Sequence, residues 1–340
     1  MIEAHVLDAW TLRSRHATQA FGYLNLVGGF AAPLFLWLAG FSLVLAAEKR
    51  LQRTGDRTAA ARALAIRGLE IFVLAFIFRA QSFIVSPGNP LVSLLRVDIL
   101  NIMGPAMAVA ALLWGVAGNS RRAALACGLA GTGIALAAPI VRTVPLGALP
   151  PAVQWYISPA GNHSTFTLFP WSGFVLAGAA FGTLLAAAAR AGEGRALGRL
   201  AAAGFAIAGA SYYASCQPSI YTASSFWTTS PTYFGLRVGV MMLAMGALYA
   251  LEPAAALVPR AFGVLGRFGR HSLFVYWVHV ELVYGYATAP LHHRLPLWLN
   301  ALAYLLFALA MYRSIDLRDR VVAWWQARST LPPTRVSADA

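Results

Sequence analysis

Long apolar runs recur along the whole chain, and that recurrence limits what it can fold into more than any motif does. A transmembrane helix needs roughly 20 mostly apolar residues. Runs of that kind lie at 25–47, 68–85, 97–117, 123–141, 166–189, 200–214, 233–251, 272–289 and 296–312. The spacing predicts an all-α, polytopic transmembrane helix bundle with nine full spans. Composition agrees, because 59% of the 340 residues are hydrophobic and only 11% are charged. A soluble domain carries about 25% charged residues. A soluble domain, a disordered chain and an ordinary nucleic-acid module are therefore excluded, and the first expected partner is the lipid bilayer.

The net charge of +14 is then read as topology, not as a polyanion site. If nine helices alternate, one set of loops plus the C-terminal tail holds 19 of the 26 basic residues and the other side holds 7. By the positive-inside rule the basic loops and the C-terminus are cytoplasmic. The segments around 86–96, 142–165, 215–232 and 290–295 face outward. Residues 1–315 form the membrane domain and 316–340 a cytoplasmic tail, with Trp324 and Trp325 among arginines as an interfacial anchor. The segment 48–67 reads as a short amphipathic helix. Its arginines either snorkel to lipid phosphates or receive the phosphates of a nucleotide-type cofactor.

The stretch 1–10, MIEAHVLDAW, is too short to span and ends on the outer side. It reads either as an interfacial helix or, the favoured reading, as the outer end of a first transmembrane helix whose earlier turns precede Met1. It lacks the basic and uninterrupted apolar regions of a signal peptide.

Ionisable residues inside spans are expensive, roughly 2.5–3.5 kcal/mol each at mid-helix, and mark function by default. His5 and Asp8, three apart, can share a helix face, and His16 follows in the outer segment. A histidine beside a carboxylate suits a general base or an acyl-accepting nucleophile, although one such pair also serves as a plain hydrogen bond. Arg79 lies within the second span. Arg96, Asp98 and Asn101 sit in LLRVDILN at the outer mouth of the third. An Arg–Asp pair and an N-terminal helix acid explain them locally, and a wet cavity explains Arg79, Asp98 and Asn101 together. Two outer segments, 150–170 and 216–233, are rich in aromatic and small polar residues. The second, with Trp227, suits a sugar or polar headgroup through hydroxyls and stacking rings, or an interfacial aromatic belt. Arg237 follows within the next span. In the segment 271–286, HSLFVYWVHVELVYGY, His279 is mid-helix with Tyr276 and Tyr286 on its face, and Glu281 points elsewhere. These read as substrate contacts or as a structural polar network.

Cys127 and Cys216 give no disulfide framework and no metal spacing, so no metal is expected. No P-loop, GxSxG or HExxH pattern occurs. The GxxxG spacing from Gly178 to Gly182 fits close packing inside the bundle or a homodimer.

The order of these blocks is itself informative. MIEAHVLDAWT, GGFAAPLFLWLAGFSLVL, RGLEIFVLAFIFR, LLRVDILNIMGP, FTLFPWSGFVLAGAAFG, SSFWTTSPTYFGLRVG and HSLFVYWVHVELVYG run through about residues 1–315. In that order the chain resembles bacterial membrane proteins similar to the heparan-α-glucosaminide N-acetyltransferase catalytic domain, within a wider group of transmembrane acyltransferases. The resemblance implies ten or eleven helices in a bacterial inner (plasma) membrane. It implies acetyl-CoA or another acyl-CoA on the cytoplasmic side, with Arg50, Arg53 and Arg67 recognising it. The acyl group then passes, through a histidine near the outer ends of the first helices, to an outer-face sugar or glycolipid acceptor. His5 sits where the wider group keeps a histidine or asparagine after an "LDxxRG" block. His16 sits where the heparan enzyme's active histidine falls. The "LDxxRG" block itself is absent and would precede Met1, which leaves the first helix incomplete.

The expected function is therefore an integral-membrane O- or N-acyltransferase. His5 or His16 would be base or acyl carrier, oriented by Asp8 or Asp98, with Arg79, Arg96 and Arg237 supplying positive charge. A proton-coupled transporter or flippase of a polar, sugar-like substrate uses the same residue types. A structural or sensory membrane protein is a third class.

Overall fold

The structure, a computed structural model, describes residues 1–85, 88, 90–188, 192–255 and 257–329. It is all-helical, with 81% helix and no strand among the described residues. In chain order the helices are α1 (Ile2–Trp10), α2 (Gln19–Gly28), α3 (Ala31–Thr54), α4 (Arg57–Val85) and α5 (Ile99–Val116). Then come α6 (Ser120–Val141), α7 (Pro151–Ile157), α8 (Leu168–Ala188), α9 (Glu193–Ser215), α10 (Pro231–Ala250) and the short α11 (Glu252–Ala255). The last three are α12 (Pro259–Arg270), α13 (Ser272–Tyr284) and α14 (Leu297–Ser329).

Six segments among the described residues are long and apolar enough to cross a membrane: Gln19–Thr54, Ile99–Val116, Ser120–Val141, Leu168–Ala188, Pro231–Ala250 and Leu297–Arg328. Each contains most of one expected run. The expected runs at 68–85 and 200–214 lie within α4 and α9, which have 29 and 23 residues. The run at 272–289 is shortened. Its helix, α13, has 13 residues and stops at Gly285, whose backbone is extended. Thirteen residues rise about 20 Å, less than the ~30 Å of a hydrocarbon core. The segment 48–67 is not a separate amphipathic helix. Residues 48–54 continue α3, Gly55 ends it in the left-handed conformation at φ 70°, and α4 begins at Arg57. Arg190 and Arg335 of the basic set, positions 86, 87, 89 and 189, and tail residues 330–340 lie outside the described residues.

The chain divides into two compact units, 1–28 with 255–340, and 29–254. In the larger unit the helices cross on glycine. A Cβ on Gly40 of α3 would fall on the Val175 carbonyl of α8, and one on Gly178 would fall on the Trp37 carbonyl of α3. Between α4 and α5, a Cβ on either Gly68 or Gly104 would lie 2.7 Å from the other's carbonyl oxygen. Reciprocal pairs Gly131/Gly173 and Gly204/Gly239 do the same for α6/α8 and α9/α10. Lipid tails are as apolar as leucine, so helices in a membrane gain by close backbone contact, and small residues permit it. Gly178 and Gly182 of the GxxxG spacing are both occupied by α3 of the same chain. Meanwhile Leu125 and Leu129 of α6, and Leu305, Leu306 and Leu309 of α14, are exposed. Apolar faces of that extent match a hydrocarbon solvent.

Gly40→Ala and Gly178→Ala should each destabilise the protein by about 1–3 kcal/mol through overpacking. The check is a lower melting temperature in detergent, with Gly133→Ala, where a Cβ meets nothing within 4 Å, unchanged.

Candidate functional site

The smaller unit is organised by the end of α1. A helix leaves its last carbonyls without intrahelical partners. Here residues far along the chain take them. Asn300 Nδ2 donates to Val6 O at 3.2 Å and to Thr11 Oγ1 at 2.6 Å. His293 N donates to Ala9 O and Leu295 N to Trp10 O, each at 2.9 Å. His293 stands at φ 54°, a left-handed conformation that histidine tolerates better than most residues. In the other direction Trp10 Nε1 donates to Val283 O at 3.1 Å, near the end of α13. Val6, Ala9, Trp10, Val283 and Leu295 form one buried cluster around these bonds. α1 is thus fixed against α13 and α14 by backbone hydrogen bonds and by packing together.

That placement brings His5 against α13. The His5 and His279 ring centroids are 5.2 Å apart. His5 Nδ1 bonds the Tyr284 hydroxyl at 3.0 Å, and that hydroxyl donates to Asp8 Oδ2 at 2.9 Å. A hydroxyl whose proton goes to a carboxylate accepts from the imidazole, so Nδ1 carries the hydrogen. In the neutral ring Nε2 of His5 then holds a lone pair. His279 is set the same way. Its Nδ1 lies 2.6 Å from Val275 O, a carbonyl that only accepts, and its Nε2 is buried without a partner. His279 is 1% exposed, with Tyr276 edge-on at 5.9 Å. Two imidazoles therefore lie side by side, each with its proton-bearing nitrogen tied back and a lone pair on its other nitrogen. This arrangement can accept a proton or an acyl group.

Tyr284 is the residue that sequence reasoning missed. On an ideal helix Tyr286 faces with His279, but α13 ends at Tyr284, so Tyr286 falls in a 3-10 turn and is 62% exposed. His16 is elsewhere in this unit. It stacks on Phe21 at 4.2 Å, with His293 at 6.2 Å and its Nε2 buried without a partner. Glu281 is partly buried on α13.

The larger unit gathers Arg79, Asp98 and Asn101. Arg79 Nη2 meets Asp98 Oδ2 at 2.5 Å. Asp98 also caps α5, accepting from Leu100 N at 3.2 Å, while Asn101 Oδ1 accepts from Asp98 N at 3.0 Å. This is a reciprocal capping box. Asn101 Nδ2 reaches the Tyr156 hydroxyl at 3.4 Å, and burial pushes that phenol above its usual range. Asp98 is thus committed to a guanidinium and a helix end. Arg96 Nη2 donates to Thr165 Oγ1 at 3.1 Å. Arg237 is buried between aromatic rings, and Trp227, 57% exposed, lies 6.0 Å from Tyr233.

Of the three arginines expected to meet a donor's phosphates, Arg50 and Arg53 are exposed on the last turns of α3. Arg67 pairs with Glu70 at 2.8 Å. Arg57 of the same stretch instead caps α5, donating to Trp114 O through Nε at 3.0 Å and Nη2 at 2.7 Å. No group of three potential metal ligands occurs among the described residues.

Replacing Asn300 by leucine should cost about 1–3 kcal/mol, because Val6 O and Thr11 lose a buried donor. Increased hydrogen exchange confined first to α1 would be the measured sign.

No curated protein matches the chain. A family model described as heparan-alpha-glucosaminide N-acetyltransferase, catalytic, matches residues 1–218. That range carries His5, Asp8, His16, Arg79, Arg96, Asp98 and Asn101, and it ends before Arg237, His279 and Tyr284. Matched over more than half its length, with apolar membrane-length helices throughout, the chain belongs to the heparan-alpha-glucosaminide N-acetyltransferase catalytic-domain family.

Proposed function

We propose that this protein is a multi-pass acyltransferase of a bacterial inner membrane, with a cytoplasmic C-terminus. It takes an acyl group, acetyl by family, from acyl-CoA on the cytoplasmic side and delivers it to a sugar or glycolipid acceptor on the outer face. His5 is the reacting imidazole. The observation that carries this reading is the chain Asp8–Tyr284–His5 with His279 beside it.

The chemistry follows from the tautomers. As an acyl carrier, His5 Nε2 attacks the thioester carbonyl. A C–N bond forms, the C–S bond breaks, and CoA leaves as thiolate. The imidazolium retains its Nδ1 proton on the Tyr284 hydroxyl, whose own proton leans on Asp8, so the positive ring faces an acceptor backed by a carboxylate. The acceptor oxygen or nitrogen then attacks the acyl carbon and the C–N bond breaks. The acceptor's proton goes to a nitrogen lone pair, which His279 Nε2 would supply in this reading. As a base in direct transfer, His5 Nε2 takes the acceptor's proton instead. Both routes use the same atoms. Asp8 is preferred to Asp98 as the orienting acid because Asp98 is held by Arg79 and the helix cap.

Membranes given labelled acetyl-CoA should release CoA and label an acceptor. His5→Ala should lower the rate by about 10²–10⁴-fold, the usual worth of a positioned base. Tyr284→Phe should lower it less, acting on kcat with KM retained, and His16→Ala should leave it near wild type. Full transfer in His5→Ala would overturn the site. Substrate flux driven by a proton gradient, with no CoA release, would overturn the reaction class.

A further inference from the structure

Arg237 lies in the second turn of α10 and is 3% exposed. Its guanidinium carbon is 3.6 Å from the centroid of Phe30 and 4.9 Å from that of Tyr233. The Tyr233 side chain also meets the guanidinium through its hydroxyl, but Nη1 is buried with no hydrogen-bond partner, and no carboxylate stands within ion-pair distance of the side chain among the described residues. Two half-buried arginines of this unit have oxygen partners for Nη2, while the Nε of each is likewise buried without one. Arg79 has Asp98, and Arg142 Nη2 has Thr167 Oγ1 at 2.8 Å and Phe169 O at 3.3 Å.

A guanidinium withdrawn from water needs a counter-charge or an equivalent set of acceptors. Aromatic faces supply part of this through the ring quadrupole, but rings cover the plane of a guanidinium and leave its N–H edge unsatisfied. That edge is the donor geometry that matches a carboxylate or a phosphate. We propose that Arg237 is the receptor of an oxyanion-binding site in the larger unit, with Phe30 and Tyr233 fixing the guanidinium plane and Nη1 presented to a carboxylate or phosphate oxygen. Arg237 lies beyond the residues matched by the family, so the assignment does not come from membership. It also goes beyond the transfer reaction, because the site stands or falls by binding whether or not an acyl group moves.

The test uses the full chain in nanodiscs and reads melting temperature. In neutral phosphatidylcholine discs, sodium sulfate or phosphate, against chloride at equal ionic strength, should raise it by about 4 °C near saturation. Discs containing phosphatidylglycerol, with chloride only, form the second arm. A rise with the inorganic anions assigns a soluble oxyanion, and a rise only with the anionic lipid assigns a headgroup phosphate. Either supports the site if Arg237→Met abolishes the rise and Arg237→Lys keeps part of it. No rise in either arm, or an equal rise in Arg237→Met, overturns it. In neutral discs and chloride, Arg237→Met should melt no lower than wild type, since it removes an uncompensated charge. A lower melting temperature would mark Arg237 as a structural clamp and also overturn the site. Acyl transfer is not read, so failure of the His5 assay leaves this outcome unaffected.

Discussion

The hydrogen bonds that close the end of α1 are the interaction on which the candidate site depends. A nine-residue helix is too short to hold itself in place. Its register is set because Val6, Ala9 and Trp10 carbonyls are met by Asn300, His293 and Leu295, and because Trp10 reaches back to Val283. A shift of one residue would break all four contacts and rotate His5 by about 100° away from α13. The polar tie and the buried Val6–Trp10–Val283 cluster share the same residues. One excludes water, and the other satisfies the groups that exclusion would otherwise strand.

The larger unit solves a different problem by different means. Its long helices satisfy most of their backbone groups internally, as membrane spans must. What they need is a reason to associate in an apolar solvent, and contact at Gly40/Gly178 and Gly68/Gly104 supplies it. Polar residues there gather at helix ends: Asp98 and Asn101 at the start of α5, and Arg57 and Glu48 around Trp114 near its finish. Placing charge at the ends leaves the middle of each helix free for small-residue packing. Arg237, in the second turn of α10, has the rings of Phe30 and Tyr233 for neighbours and no acid at ion-pair distance among the described residues.

The apolar runs were legible because length and hydrophobicity are local properties. In sequence Arg79, Asp98 and Asn101 group as the lining of a wet cavity, and what joins them is an ion pair and a helix cap. The lengths of α13 and of the 48–67 segment were not legible, because each turns on a single glycine. Gly285 stops a helix that composition would continue, and Gly55 turns the chain where periodicity suggested a separate helix. His5 was legible as a candidate, but its partner was not. Tyr284 lies 279 residues away, and only the tie between α1 and α13 makes the two neighbours. Asn300 gave no signal beyond being polar within an apolar run.

The contrast between the two acids explains why only one suits an imidazole. Asp98 sits 4% exposed, held by Arg79 and its helix cap, with its charge already balanced where water cannot help. Drawing it towards a histidine would strand Arg79. Asp8 is exposed and carries its charge at little cost, and it is joined to His5 only through the Tyr284 hydroxyl. A neutral hydroxyl between acid and ring lets the carboxylate stay hydrated while its influence reaches His5 through two hydrogen bonds. It also fixes the ring by direction, because the hydroxyl has one proton to give and gives it to Asp8. The nitrogen of His5 that keeps its lone pair is therefore defined by the geometry of a tyrosine, not by the strength of an ion pair.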